Sequence, residues 1–224
     1  MNAKDLYNEL ITSNAKGGTG YLTFNFLEQS VRVTAKSTVG YVFQDWLEKW
    51  MESKEIKFHK NANSQNWPDF YLDPGEDNIK GVVEIKTFES VKNPNFDIAN
   101  FDAYFRSLRN NAYRLDADYL IFAYELNNIG DFKIKDIWLK KVWEISCPSK
   151  SYPIKVQAKQ KIIYNIRPAN WKSKKTKYRI FDSRKQYVEA IYKTLQSYST
   201  RKSESQNWLK EVAADYKKHS GHEL

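Results

Sequence analysis

The period of the hydrophobic pattern changes along the chain, and each change marks an element. Residues 4–13 place apolar side chains at helical spacing and predict a short helix. The glycine-rich stretch "NAKGGTGY" follows as a loop, and then "YLTFNFL" and "VRVTA" alternate between apolar and polar, which predicts a hairpin. In "STVGYVFQDWLEKWMESK" the residues Val39, Phe43, Trp46, Leu47, Trp50 and Met51 recur at helical spacing and give one broad apolar face. Gln44 stands at the edge of that face, one turn after Gly40 and one before Glu48.

Three strand patterns come next, "IKFH", "DFYL" and "GVVEIKTF", the last two joined by the turn-forming "DPGEDNIK". In "NPNFDIANFDAYFRSLRNN", Asp97 is the predicted helix N-cap, Ile98, Phe101, Phe105 and Leu108 form the buried stripe, and Arg106 and Arg109 point outward. "DYLIFAYEL" is nearly continuously apolar, as a central strand covered on both faces should be, and the intervening helix permits a parallel crossover from residues 82–88. "FKIKDIWL" and "KIIYNIRP" read as further strands, the latter ending at Pro168. Ser183 with Gln186 and Ser203 with Gln206 have capping-box spacing, so two helices broken near "STRKSES" are expected at the end. The predicted fold class is α/β, a mixed sheet flanked by helices in a single domain over 1–224, with C-terminal helices at about 183–218 packed on it.

Composition narrows the chemistry. A net charge of +9 favours a polyanionic partner, nucleic acid before membrane, because no basic amphipathic helix stands out. Cys147 is the only cysteine, which excludes an intramolecular disulfide; no stretch is apolar enough for a secretion signal or a membrane span, and a cytoplasmic protein is expected. Three histidines and one cysteine cannot build a Cys/His zinc site without carboxylates, and the glycine-rich loop lacks the Gly-Lys-Ser/Thr ending of a phosphate-binding loop.

The chain contains Glu-Ile-Lys twice, at 55–57 and at 84–86. An acid two residues before a lysine is a weak pattern: with 27 acids and 28 lysines in 224 residues, chance alone supplies roughly three, and five occur. Context separates the copies. Only Glu84 and Lys86 follow "WPDFYLD", whose Pro68-Asp69 begins a strand pattern that a turn connects to theirs. If these two strands pair, Asp69 lies beside Glu84, with Lys86 on the same face one pleat on. Adjacent carboxylates raise one another's pKa unless a cation neutralises them, and a hard, oxygen-ligated divalent ion such as magnesium does so. Such an ion polarises a phosphodiester, and Lys86 is then placed to orient a water and to stabilise charge. The alternative is a cross-strand salt bridge on a solvated face, worth about 0–1 kcal/mol.

Pro68-Asp69 followed by Glu84-Ile85-Lys86 resembles the PD-(D/E)XK nuclease motif. A longer likeness covers most of residues 30–195, from "VGYVFQDWLEKW" through "EIKTF", "RLDADYLIF" and "KIKDIWLKKVWEIS" to "YNIRPANW", and is similar to type II restriction endonucleases of the NgoBV and NlaIV kind. This resemblance implies a magnesium-dependent bacterial endonuclease that cuts duplex DNA at a short palindrome, GGNNCC being the site associated with the group, and a cognate DNA methyltransferase as functional partner. It also implies that Asp69 and Glu84 are metal ligands, with the Ile85 carbonyl as a further ligand and Lys86 as the water-orienting group. Many relatives complete the site with a glutamate on the preceding helix; here Gln44 stands at that position and Glu48 one turn on, which leaves one or two metal ions open.

A basic segment, "NIRPANWKSKKTKYR", carries Arg167, Lys172, Lys174, Lys175, Lys177 and Arg179 with Trp171 and Tyr178 interleaved, a composition suited to phosphate contacts. Asn165 and Arg167 have the chemistry to read adenine or guanine edges. Arg106, Arg109 and Arg114 form a second basic cluster, and Lys140 and Lys141 lie among tryptophans suited to core or dimer packing. A homodimer matches a palindromic target. Competing readings are a non-catalytic nucleic-acid-binding module and a structure-selective repair nuclease.

Overall fold

The computed structural model describes residues 1–61, 67–72 and 81–224. The elements run α1 (Ala3–Thr12), β1 (Thr19–Tyr21), β2 (Thr23–Phe26), β3 (Gln29–Arg32), α2 (Val39–Ser53), β4 (Phe70–Tyr71), β5 (Val82–Glu89), β6 (Ala99–Asn100) and α3 (Phe101–Ser107). They continue with β7 (Asp118–Leu126), β8 (Asp131–Lys141), β9 (Val156–Lys159), β10 (Ile162–Ile166), α4 (Arg184–Ser197) and α5 (Trp208–Ser220). Contacts divide the chain into two compact units, residues 1–93 with 118–140 and residues 94–117 with 141–224.

The first unit is a mixed five-stranded sheet in the order β1-β8-β7-β5-β4. β5 and β7 are parallel, with Glu84 opposite Tyr119, as the continuously apolar 118–126 stretch predicts. β4 runs antiparallel to β5 and pairs Phe70 with Val83. Leu6 and Leu10 of α1 and Val39, Phe43, Leu47 and Met51 of α2 close over Val83, Ile85, Leu120 and Phe122 to form one core. Full burial of such side chains contributes roughly 1.5–3 kcal/mol each, so this cluster fixes α2 on the sheet. Asn2 starts α1 with a reciprocal cap, accepting from the Asp5 amide at 2.9 Å while its own amide donates to Asp5 Oδ2 at 3.1 Å. The predicted hairpin is β2–β3, turning at Leu27 and Glu28, both with positive φ.

In this unit the structure corrects three expectations. Trp46 leaves the apolar face of α2 and is 40% exposed. "IKFH" forms no strand but a single bridge from His59 to Tyr71, and "DFYL" contributes only the two residues of β4. Glu55, which opens the first Glu-Ile-Lys, takes φ 56 in the turn that ends α2. The "DPGEDNIK" turn lies outside the described residues.

The second unit holds a three-stranded antiparallel sheet in the order β6-β10-β9, with α3, α4 and α5. Trp208 of α5 is fully buried and its Nε1 donates to the Phe105 carbonyl at 2.7 Å, which joins α5 to α3. Ser183 caps α4 as its capping-box spacing predicts, accepting from the Gln186 amide at 3.3 Å. Two predicted caps fall elsewhere. Asn100, not Asp97, caps α3 and accepts from the Ala103 amide at 3.0 Å, while the Asp97 carboxylate is paired with Arg167. The Ser203–Gln206 segment forms a 3-10 turn, and α5 begins after Asn207.

Candidate active site

The alternation of β4 and β5 builds the site. Phe70 and Val83 face the core, and continuing their pairing by one residue sets Asp69 opposite Glu84. Glu84 and Lys86, two apart on β5, share a face, and Lys86 Nζ donates to Glu84 Oε1 at 2.8 Å. Asp69 is held from two sides: the Ile85 amide donates to its Oδ2 at 2.7 Å and Gln44 Nε2 donates to its Oδ1 at 2.6 Å. Gln44 reaches it because Phe43 and Leu47, its neighbours on α2, are buried against the sheet and set the rotation of the helix. Four predicted residues, Gln44, Asp69, Glu84 and Lys86, are thus brought together with Ile85. Glu48 is not part of this group; its carboxylate pairs with Lys60.

Electrostatics single out the two acids. Glu84 is a buried carboxylate, 7% exposed, and its Oε2 has no hydrogen-bond partner among the described residues. Burial pushes the Asp69 carboxyl up to about 7, and the neighbouring Glu84 charge adds to the shift. The Ile85 amide, the Lys86 ammonium and the Gln44 amide oppose it without cancelling it. Two close acids, one with a buried orphan oxygen, form an all-oxygen donor set that fits a hard divalent cation. Among the described residues no cluster of three or more His, Cys, Asp and Glu side chains gathers, so the charged donors that they bring to this site are Asp69 and Glu84.

The basic segment of the second unit follows β10 as an irregular loop anchored at both ends. The Ala169 amide donates to the Ile145 carbonyl at 2.7 Å and the Phe181 amide to the Ser146 carbonyl at 3.2 Å. Between these anchors Lys172, Lys174, Lys175, Lys177 and Arg179 are exposed, with Lys177 lying 5.5 Å from the Tyr178 ring centroid. Asn165 is half-buried within β10, opposite Asn100 and Gln157. Arg167 differs from the lysines: its guanidinium bonds the Asp97 carboxylate and the Asn95 carbonyl.

The second predicted cluster is occupied by the unit's own acids. Arg106 makes a two-pronged pair with Glu204 at 2.7 and 2.8 Å, and Arg109 pairs with Glu211 and donates to the Glu204 carbonyl at 2.6 Å. Arg114 donates to Ser107 Oγ at 2.7 Å. Arg106 and Arg109 tie α3 and the residues just after it to the C-terminal elements, so the charge of these two is largely neutralised inside the unit. Partners such as Asp97 for Arg167 lie 70 residues away and leave no local signal in the sequence.

Comparisons with known proteins place the chain in a family. The family model described as NgoBV restriction endonuclease matches residues 1–224. The chain is 32% identical over 221 residues to the type II restriction enzyme NlaIV of Neisseria lactamica, covering 98% of this chain and 90% of that protein. It is 30% identical over 162 residues to the type II restriction enzyme NgoBV of Neisseria gonorrhoeae, covering 71% of this chain and 91% of that one. Among solved structures, the NlaIV restriction endonuclease superposes with a TM-score of 0.93 at 31% identity, over 100% of this chain and 92% of the other. Matched by the family model from end to end, and in fold by a solved restriction endonuclease, the chain belongs to the NgoBV restriction endonuclease family of type II, site-specific deoxyribonucleases.

Proposed function

We propose that this protein hydrolyses both strands of duplex DNA at a short palindrome, GGNNCC, as a magnesium-dependent homodimer, and that a cognate methyltransferase protects the same site. The observation that carries the reading is the pair of close acids, Asp69 and Glu84, with the Lys86 ammonium 2.8 Å from Glu84 Oε1. Asp69 and Glu84 would hold the cation. The Ile85 carbonyl is a suitable third donor, because a strand residue points its N–H and C=O to the same side and the Ile85 N–H already meets Asp69. Bound there, magnesium would supply Lewis-acid polarisation of the phosphodiester and lower the pKa of a water molecule.

The chain's own residues do the rest. Gln44 and the Ile85 amide fix the Asp69 carboxylate in one orientation, so that no rearrangement is needed on binding. Lys86, anchored by Glu84, donates to the attacking water and meets negative charge developing on the phosphate. In the second unit, the exposed lysines from Lys172 to Lys177 and Arg179 hold phosphates, while Asn165 and Arg167 are the base-reading candidates, Arg167 on exchange of its Asp97 partner. Arg106 and Arg109, already paired with acids, contribute less to DNA contact.

Incubation of an unmethylated plasmid with the purified protein, with and without magnesium, tests the reading, and sequencing of the fragment ends identifies the site. Discrete fragments with fixed ends are expected with magnesium, and none with a chelator. Cutting that ignores the chelator would overturn the mechanism; ends that map to another sequence would overturn GGNNCC alone.

A further inference from the structure

We propose that the apolar face of the β2–β3 hairpin, with the groove at its root, is the surface on which a second copy of this chain docks. This rests on the homodimer reading above and locates its interface. Thr23 pairs with Arg32, Phe24 with Val31 and Phe26 with Gln29, so Phe24, Phe26 and Val31 share one face and Thr23, Asn25, Ser30 and Arg32 the other. The hairpin is amphipathic, yet every residue of both strands is exposed. A two-stranded hairpin is marginal in water without a cover on its apolar face. Leu27 sharpens the point: it is 78% exposed at φ 43, a left-handed position that costs a non-glycine residue roughly 1–2 kcal/mol.

The area and charge identify the occupant. Phe24, Phe26, Leu27 and Val31 are 57–78% exposed, and Val42 and Trp46 of the groove are each 40% exposed, which together amounts to on the order of 650 Å² of residue surface, above the largest patch of a typical monomer and approaching the roughly 800 Å² that each partner of a standard interface buries. Residues 21–33 carry one acid, Glu28, and one base, Arg32, in a chain of net charge +9. The Arg32 guanidinium lies 3.5 Å from the Tyr21 ring centroid. A neutral, aromatic projection of this kind suits a protein surface and not a polyanion.

A complementary hollow is present on the same unit. Leu22, at the root of the hairpin, lines an apolar groove of about 350 Å³ with Val39, Val42, Phe43, Trp46 and Phe132. A two-fold interface requires a self-complementary patch, and a projection beside a hollow supplies one, each hairpin seating in the partner's groove. Exposure of Trp46, unexplained by the packing of α2, follows if its ring meets the partner.

Sedimentation of the full-length protein tests this, using Phe26→Glu on the apolar face and Ser30→Glu on the polar face as a control, with circular dichroism to establish that both fold. The parent and Ser30→Glu should sediment as dimers, and Phe26→Glu should raise the dimer dissociation constant at least about thirtyfold. A Phe26→Glu protein that folds and dimerises like the parent would overturn the location of the interface and leave the homodimer standing. A parent that is monomeric while producing discrete fragments would overturn both. Loss of DNA binding by Phe26→Glu without a change in mass would assign the hairpin to DNA and overturn the proposal.

Discussion

Gln44 donates from Nε2 to Asp69 Oδ1 at 2.6 Å, so the amide on α2 restrains one of the two site acids instead of adding a third. A glutamine keeps that oxygen satisfied at no charge cost, whereas a glutamate there would meet an already crowded pair of acids. Gln44→Ala should therefore destabilise the metal-free protein by about 1–3 kcal/mol and weaken magnesium affinity, because a part-buried acceptor loses its donor. Gln44→Glu should destabilise the metal-free protein while tightening magnesium binding above pH 7. Thermal melts and calorimetric titration of each variant measure both effects. Unchanged magnesium affinity in Gln44→Glu would place position 44 beyond reach of the ion.

The Asp69 carboxyl sits at about 7 in the metal-free fold against an ordinary value of 3.8, raised by burial and then by Glu84. A folded-state pKa above the unfolded one means that the folded protein binds the proton more tightly, so this group's contribution to stability is complete below about pH 4 and is lost as pH rises through about 7. Asp69→Asn keeps the shape without the charge. It should match the parent's melting temperature near pH 4 and exceed it near pH 8, by ~2–4 °C for each kcal/mol of relieved repulsion. A melting-temperature difference independent of pH would refute the assignment of the shift to Asp69.

Cation binding must compete with the same proton. Magnesium affinity of the parent should rise by up to about tenfold per pH unit below pH 7 and level off above it, since the ligand has to be deprotonated. Calorimetry at several pH values in buffers of different ionisation enthalpy would also register the released proton. Affinity that is flat from pH 5 to 8 would mean that Asp69 does not hold the ion.

Much of this site was legible because it depends on local alternation. The pattern of 82–88 fixes which side chains share a face, and a partner strand carrying Asp69 follows from the turn-rich spacer between them. Longer-range choices were not legible. Asp97 and Asn100 are both competent caps, and what removes Asp97 is Arg167, far along the chain. Arg106 and Arg109 look like a phosphate-binding pair until Glu204 and Glu211 arrive from the C-terminal helices. Sequence spacing reports charge but not which distant acid neutralises it.

The exposed loop lysines give a test of electrostatic anchoring. Lys174 and Lys175 are exposed between the Ala169 and Phe181 anchors, so replacing both by alanine should leave the fold intact. DNA binding should weaken to a similar degree on all sequences, and the slope of log affinity against log salt should shrink by about one unit per lost phosphate contact. A slope identical to the parent's would assign these side chains to solvent.

The duplicated Glu-Ile-Lys offers an internal control for the chemistry. Lys86 lies on β5 with its Nζ 2.8 Å from Glu84 Oε1, beside the acid pair. Lys57 is exposed on an irregular segment after the turn at Glu55, outside the strands that bring Asp69 and Glu84 together. Lys86→Ala removes a positioned donor and should lower cleavage by at least about a hundredfold, the scale for loss of a proton-handling or charge-stabilising group. It should retain DNA binding, because the loop cations are untouched, although the buried Glu84 loses its ammonium and the metal-free protein should melt earlier. Lys57→Ala loses only surface electrostatics and should cleave nearly as the parent does. Plasmid cleavage rates under saturating magnesium, set beside binding to the same DNA in a chelator, separate catalysis from affinity. Equal losses in the two variants, or a Lys86→Ala protein that cuts at the parental rate, would remove Lys86 from the mechanism and with it the reading of Asp69 and Glu84 as the catalytic acids.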